Sequence, residues 1–262
     1  MTDIDTSSRP ALPPPPRQTE VKDEFIRVRG SWGPAWESIL RLDPEFLHAY
    51  LGFSAVSARK DQLSPVVREF IYIAADSAAT HMFTAGTRAH IRLALELGAT
   101  ANEVMEVLEL TSTLGIHAAN IGVPLLLEVL EEEGLRDGPT PLNEKQESLK
   151  AEFTATRGYW HTFWEGLLEI DPELFEAYTE FSSVPWRHGT LEPKVKELVY
   201  CAFDAAATHL YVPGLKLHMR NAIRLGATAD EVMAVLEIVS VIGIHAAMEA
   251  APVLEEELAR LT

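Results

Sequence analysis

Leu97–Ala119 reads LGATANEVMEVLELTSTLGIHAA, and Leu225–Ala247 reads LGATADEVMAVLEIVSVIGIHAA. The two stretches lie 128 residues apart (225 − 97). Self-similarity of this quality at a fixed offset means that the chain is built from two copies of one unit. Both copies carry the same local signals. Gly98 and Gly226 stop a preceding helix. Thr100 with Glu103, and Thr228 with Glu231, are capping boxes, in which the two side chains satisfy orphan N–H groups of a first helical turn. A long apolar helix follows each box.

Outward from this stretch, the offset holds without a gap from about Arg29 to Pro124. RGSWGPAWESILRLDPEFLHAY, starting at Arg29, pairs with RGYWHTFWEGLLEIDPELFEAY, starting at Arg157. LSPVVREFIYIAADSAATH, ending at His81, pairs with LEPKVKELVYCAFDAAATH, ending at His209. Alternation over β-branched residues is absent, so the reading is all-α: two tandem helical bundles related by a pseudo-twofold axis. Ser64 caps and Pro65 opens a helix predicted to run to about His81, and a second runs from about Thr87 to Leu97. Asp43-Pro44 and Asp171-Pro172 break the upstream helices. The expected division is a disordered Pro-rich arm over 1–20, a first unit over 21–134, a linker over 135–144 and a second unit over 145–262.

Composition narrows the function classes. The chain has 262 residues with 39 acidic and 22 basic side chains, a net charge of −17. Such a surface repels phosphate backbones and anionic membranes, so neither nucleic acid nor a membrane is an expected partner. No apolar run in the sequence approaches the roughly 20 residues of a membrane span. The N-terminus lacks the basic start and apolar core of a signal peptide, and Cys201 is the single cysteine, so the expected location is the cytoplasm.

Three histidines recur at the offset: His81/His209, His90/His218 and His117/His245. His48, His161 and His188 do not. Glu69/Glu197 and Asp76/Asp204 recur on the helix before the first histidine, and helical spacing puts Glu69, Asp76 and Thr80 on one stripe. A polar stripe on an Ala- and Ile-rich helix, copied twice, marks candidate chemistry. For any one of these residues a structural role, such as a cap or a satisfied buried carbonyl, is the commoner explanation. Recurrence of all five weakens it.

The pattern of Glu69, then His90, Gly98-Ala-Thr, Glu103-Val and a long helix containing Gly115 resembles the carboxymuconolactone decarboxylase family, which shares its helical fold with alkylhydroperoxidase D-like proteins. In the peroxidase branch a Cys-x-x-Cys pair precedes the motif histidine. Here those positions are Phe83 and Gly86, and Tyr211 and Gly214, so no thiolate is present to attack peroxide. His81 and His117 are additions to the family pattern. The resemblance implies a lyase of aromatic-compound catabolism that removes CO2 from a small lactone acid, or performs related proton transfer, by His/Glu acid–base chemistry without a cofactor. The catalytic candidates are Glu69, His81, His90 and His117 converging in one pocket, and Glu197, His209, His218 and His245 in the other. Phe83, Tyr211 and Trp160 are candidate apolar walls for substrate.

Two other readings stay open. Three histidines and a Glu in each unit (His81, His90, His117 and Glu69; His209, His218, His245 and Glu197) are enough ligands for a divalent transition metal, which would make an oxygenase or hydrolase. The fold would also serve a non-catalytic binder of small molecules. For assembly, the family resemblance and an apolar helix around His117 imply a symmetric homo-oligomer, a trimer in preference to a dimer.

Overall fold

The computed structural model describes residues 18–261, so nearly all of the expected Pro-rich arm lies outside the described residues. Among the described residues there are fifteen α-helices and no strand. The first repeat contributes α1 (Gln18–Arg29), α2 (Pro34–Leu42), α3 (Pro44–Ser54), α4 (Val56–Lys60), α5 (Pro65–Ser77), α6 (Thr84–Glu96), α7 (Ala101–Ser112) and α8 (His117–Glu132). The second contributes α9 (Glu144–Arg157), α10 (Phe163–Ile170), α11 (Pro172–His188), α12 (Pro193–Ala205), α13 (Val212–Arg224), α14 (Ala229–Ser240) and α15 (His245–Leu261).

Local chemistry explains most boundaries. Both capping boxes form, with side chain and backbone satisfied reciprocally at Thr100/Glu103 and Thr228/Glu231. Asp43 and Asp171 accept from Phe46 N and Leu174 N at 2.9 Å, so each Asp-Pro pair caps a new helix at the predicted break. Ser64 caps α5 as expected. The end of α5 differs: it stops at Ser77, four residues before His81. Ala78 is extended and Met82 is left-handed (φ 52), so the chain reverses and Phe83 N reaches Asp76 O at 2.8 Å. Thr80 therefore sits in an exposed turn and does not share the stripe of Glu69 and Asp76.

The described chain forms two compact bodies, residues 18–59 with 243–261, and residues 60–242. In the first, α2 packs on α15, Arg41 forks onto Glu255 at 2.6 and 2.7 Å, and Phe25, Trp36 and Tyr50 form an aromatic core. In the second, α5 packs on α12, while α7 meets α12 and α14 meets α5. That reciprocity is what a pseudo-twofold relation between the repeats requires. The bodies do not follow the repeats. Helix α8, from the first repeat, packs on α10 of the second, and Ile116, Ala119 and Val123 cover the core of Phe153, Trp164, Leu168 and Phe175.

The helical runs Ala101–Glu132 and Ala229–Leu261 correct the expectation about apolar length: both are long and apolar enough to cross a bilayer by length and composition. Each is interrupted by a 3-10 turn, at Thr113–Ile116 and Ile242–Ile244. In the first run the charges fall at the ends and 110–127 carries none, whereas Glu237 and Glu249 interrupt the second. On α8, Ile121, Leu125, Leu126 and Val129 are exposed.

The repeats differ at one buried pair. Glu106, where the second repeat has Ala234, meets Lys196 at 2.8 Å with both side chains 4% exposed. Glu106 also accepts from Thr190 N (2.7 Å) and Leu191 N (3.0 Å), and Lys196 donates to Pro185 O at 2.6 Å. A Cβ at Gly189 would overlap the Glu106 carboxylate. Removing one member of such a pair strands a buried charge. Lys196→Met is therefore expected to lower stability by about 3–5 kcal/mol, and adding Glu106→Ala to restore part of it. Urea unfolding checks this; a Lys196→Met loss below about 1 kcal/mol contradicts it.

Candidate active site

Every residue of α12 from Val195 to Asp204 is buried, and the helix carries two carboxylates into that environment. Glu197 is 1% exposed and Asp204 is 0% exposed. A buried charge needs partners, and the second repeat supplies them from α13. His218 Nδ1 lies 2.6 Å from Glu197 Oε2, and Asn221 Nδ2 lies 3.4 Å from Oε1. Since Nδ1–H donates to the carboxylate, Nε2 is the nitrogen left to exchange a proton. Tyr200 stacks on the His218 ring at 4.3 Å. The first repeat repeats this core. His90 Nδ1 is 2.7 Å from Glu69, Tyr72 stacks on His90 at 4.2 Å, and Asp76 Oδ2 is 3.9 Å from His90 Nε2. The two Glu–His pairs expected from the sequence are thus each brought together.

The other histidines do not gather by repeat. His117 opens α8 and is carried to the second repeat's site. Its Nδ1 is 2.6 Å from His209 Nε2 and 3.7 Å from Asp204 Oδ1, and its ring stacks on Tyr211 at 3.8 Å. The expected convergence of His117 with Glu69 and His90 is corrected accordingly. The cause is the 3-10 turn Thr113–Ile116, which leads α8 away onto α10. His245, the copy of His117, opens α15 in the first body and is half-buried. His81 is half-buried, its ring 6.1 Å from Phe83.

A short strained turn aims His209. Leu210 is left-handed (φ 50), as Met82 is in the first repeat, a costly conformation for a bulky side chain. It lets Tyr211 N return to Asp204 O at 2.9 Å while His209 N bonds Ala206 O at 2.8 Å. Gly214 completes the packing: a Cβ there would lie 2.5 Å from both Asp204 Oδ2 and the Tyr211 ring. A Cβ at Gly86 would likewise overlap Asp76 and Phe83. In both repeats the carboxylate occupies the room that a side chain at this position would need.

Electrostatics follow from burial. Burial, then His209 and His218, push His117 down to about 3, so it is neutral at physiological pH. Burial, then Glu197, push Asp204 up to about 8. Burial lowers His209 and His81. Tyr211 is pushed up to about 12 by burial, against a hydrogen bond from Asn120. Cys201 is buried in α12, and burial, Glu197 and Asp204 raise its thiol well above the ordinary value, so it is no nucleophile.

Of these groups His117 and Tyr211, with His218 and Gly214, line a narrow, partly open cavity of about 20 Å³, room for one water, bounded beyond them by Arg157, Tyr159, Phe163, Trp164, Tyr178 and Tyr200. A larger molecule enters only if some of these side chains move. Tyr211 stands where a wall was expected. Trp160 does not: it packs against Phe153 and Phe175, and Tyr159 has the place in the lining. Phe83 is buried against Gly86 in the first repeat. A wider cleft of about 420 Å³ opens where α5 and α12 begin, lined by Leu63, Phe70, Leu191, Leu198, Glu103, Lys194 and Glu231, but it contains no histidine. Chemistry favours the small cavity over the larger one.

Arg157 was not anticipated from the sequence. It is buried, donates to Tyr200 Oη (3.1 Å) and Ser182 Oγ (3.4 Å), and its Nε has no hydrogen-bond partner among the described residues. No ion pair neutralises it among the described residues. Its one visible signal was the Arg-Gly-x-Trp repeat at Arg29 and Arg157.

The carboxymuconolactone decarboxylase family model matches the chain twice, over residues 44–120 and 172–256. A crystal structure at 1.70 Å of a protein from Burkholderia xenovorans LB400, provisionally named a gamma-carboxymuconolactone decarboxylase subunit, is 59% identical, covers 95% of this chain and 100% of its own, and superposes with a TM-score of 0.93. No curated protein matches. With the family pattern present in both repeats and its Glu–His pair assembled in each, the protein belongs to the carboxymuconolactone decarboxylase family.

Proposed function

We propose that the protein decarboxylates a small unsaturated lactone acid of the carboxymuconolactone class, with Glu197–His218 and Glu69–His90 as proton carriers. The observation that carries this reading is the buried Glu197–His218 pair at 2.6 Å, with His218 and Arg157 lining one cavity and no ion pair on Arg157 among the described residues. Arg157 anchors a carboxylate that the substrate retains; its guanidinium is held charged among the Phe153, Trp186 and Tyr200 rings with no ion pair among the described residues. The carbon–carbon bond to the departing carboxylate breaks, CO2 leaves, and the electron pair moves into the conjugated lactone carbonyl. Protonated His218 then delivers a proton to carbon from Nε2 and is recharged from water, while Glu197 holds the ring and stabilises its cation. His117 and Tyr211, in the cavity wall, face the oxygen that receives the electron density, with His209 behind His117. Phe163, Trp164 and Tyr159 keep water out.

The test is CO2 release from gamma-carboxymuconolactone by the full chain. His218→Asn alone is expected to leave roughly half the rate, since the other pair remains, and His90→Asn with His218→Asn to cut kcat by about 100-fold or more. No release, or a double variant as fast as the parent, removes the proposal. Arg157→Met is expected to raise KM by about 10–100-fold, with partial rescue in Arg157→Lys; an unchanged KM means that Arg157 holds no carboxylate.

We also propose that the chain assembles as a symmetric homo-oligomer, a trimer, through the exposed apolar face of α8 formed by Ile121, Leu125, Leu126 and Val129. Salt screens the repulsion of acidic protomers over about 8 Å while apolar burial persists. Light scattering at physiological salt is expected to give three times the 29.0 kDa chain mass. A mass of one or two chains contradicts the trimer.

A further inference from the structure

We propose that His117 Nδ1, His209 Nε2 and Asp204 Oδ1 bind one divalent first-row transition-metal ion. This ligand set differs from the three-histidine-plus-Glu set expected from the sequence. His218 and Glu197 satisfy each other, and it is Asp204 that stands with the remaining histidines. The donor atoms of the three residues all lie within 4.8 Å of one another. They come from three separate elements: the start of α8, the end of α12 and the strained turn at Leu210. A set built from that many elements is fixed by the fold rather than by one flexible segment.

Two observations point to a ligand at this place. Asp204 is fully buried, and neither of its carboxylate oxygens has a hydrogen-bond partner among the described residues. A carboxyl group left so is costly in the absence of a cation. The His117–His209 contact is the second. Two imidazole nitrogens at 2.6 Å have room for a single shared proton between them. An ion bound by both at about 2.0–2.1 Å, in tetrahedral geometry, holds its nitrogens roughly 3.3 Å apart, so the rings need to part by less than about 1 Å. The sequence adds a third, independent point: each of the three ligand residues has its own copy 128 positions away, as Asp76, His81 and His245.

Donor chemistry sets the class of ion. Two imidazoles and one carboxylate, with no thiolate, suit zinc, cobalt, iron or manganese in the divalent state; calcium and magnesium ask for more oxygen donors. Three protein ligands leave a coordination position free, as in catalytic rather than structural sites. His117 borders the same cavity as His218, so an ion there would face the oxygen that the proposed reaction charges. Only this last consequence rests on the decarboxylase reading; binding itself does not.

The experiment uses the full chain, stripped with a chelator and titrated with Co2+ and Zn2+ under equilibrium dialysis with elemental analysis. Wild type is expected to hold at least one ion per chain and, with Co2+, to show ligand-field bands in the visible. Asp204→Asn, which preserves shape, and His209→Ala are each expected to remove one equivalent, or weaken it by at least about 100-fold, with circular dichroism unchanged. Fewer than one equivalent in wild type, or unchanged stoichiometry and spectrum in both variants, overturns the proposal. Glu197→Gln separates the two readings: it keeps the ion whether or not CO2 release is lost.

Discussion

Two carboxylates of α12 sit where water does not reach, and the surrounding structure answers to them. Glu197 and Asp204 are seven residues apart on a helix whose neighbours are Leu198, Val199, Ala202 and Phe203. Desolvating even one ionised carboxylate costs several kcal/mol unless it is paired or protonated. The two are handled differently. Glu197 gains His218 and Asn221, and the ring stack of Tyr200 holds His218 in place. Asp204 gains no hydrogen bond among the described residues and is driven towards its neutral form. Around it lie the features that otherwise look arbitrary: a glycine with no room for a side chain, a leucine forced into the left-handed region, and two imidazoles in contact.

The same constraint explains why the site draws on both repeats. A helix pair alone presents α12 and α13 to the cavity and leaves one side open. Helix α8 closes it with His117 and Asn120, and its apolar side is stabilised against Phe153, Trp164 and Phe175. The packing that buries a hydrophobic face thereby delivers a histidine to a neighbour's carboxylate. Duplication in a single chain makes that delivery independent of protein concentration, because the donor and recipient repeats are covalently joined.

The repeats have nevertheless diverged around this shared frame. Glu106 ties α7 to the turn at Thr190 and to Lys196, and the copy of that position is Ala234. Tyr211 carries a hydroxyl where Phe83 has none, and Asn221, which touches Glu197, is matched by Leu93. These changes alter hydrogen-bonding capacity around Glu–His pairs that both repeats keep.

Much of this was legible from the amino acids. The ungapped offset, the capping boxes and the Asp-Pro breaks follow from short-range rules of backbone hydrogen bonding, and they appear at the residues expected. Glu69 with His90 and Glu197 with His218 were identifiable because a recurring acid and base on adjacent apolar helices have little else to pair with. Tertiary structure alone decided the rest. Nothing in the order of residues says that α8 crosses to α10, so His117 was assigned to the wrong pair. Nor could periodicity foresee that α5 ends at Ser77, since that depends on the return of Phe83 N to Asp76 O. Arg157 and Tyr159 rather than Trp160 line the cavity because α9 stops at Gly158 (φ 75), and that reversal sends neighbouring aromatic rings in different directions. Spacing along a chain records which side chains share a helix face; which faces meet is set by the packing of whole helices, where the largest apolar surfaces choose the partner.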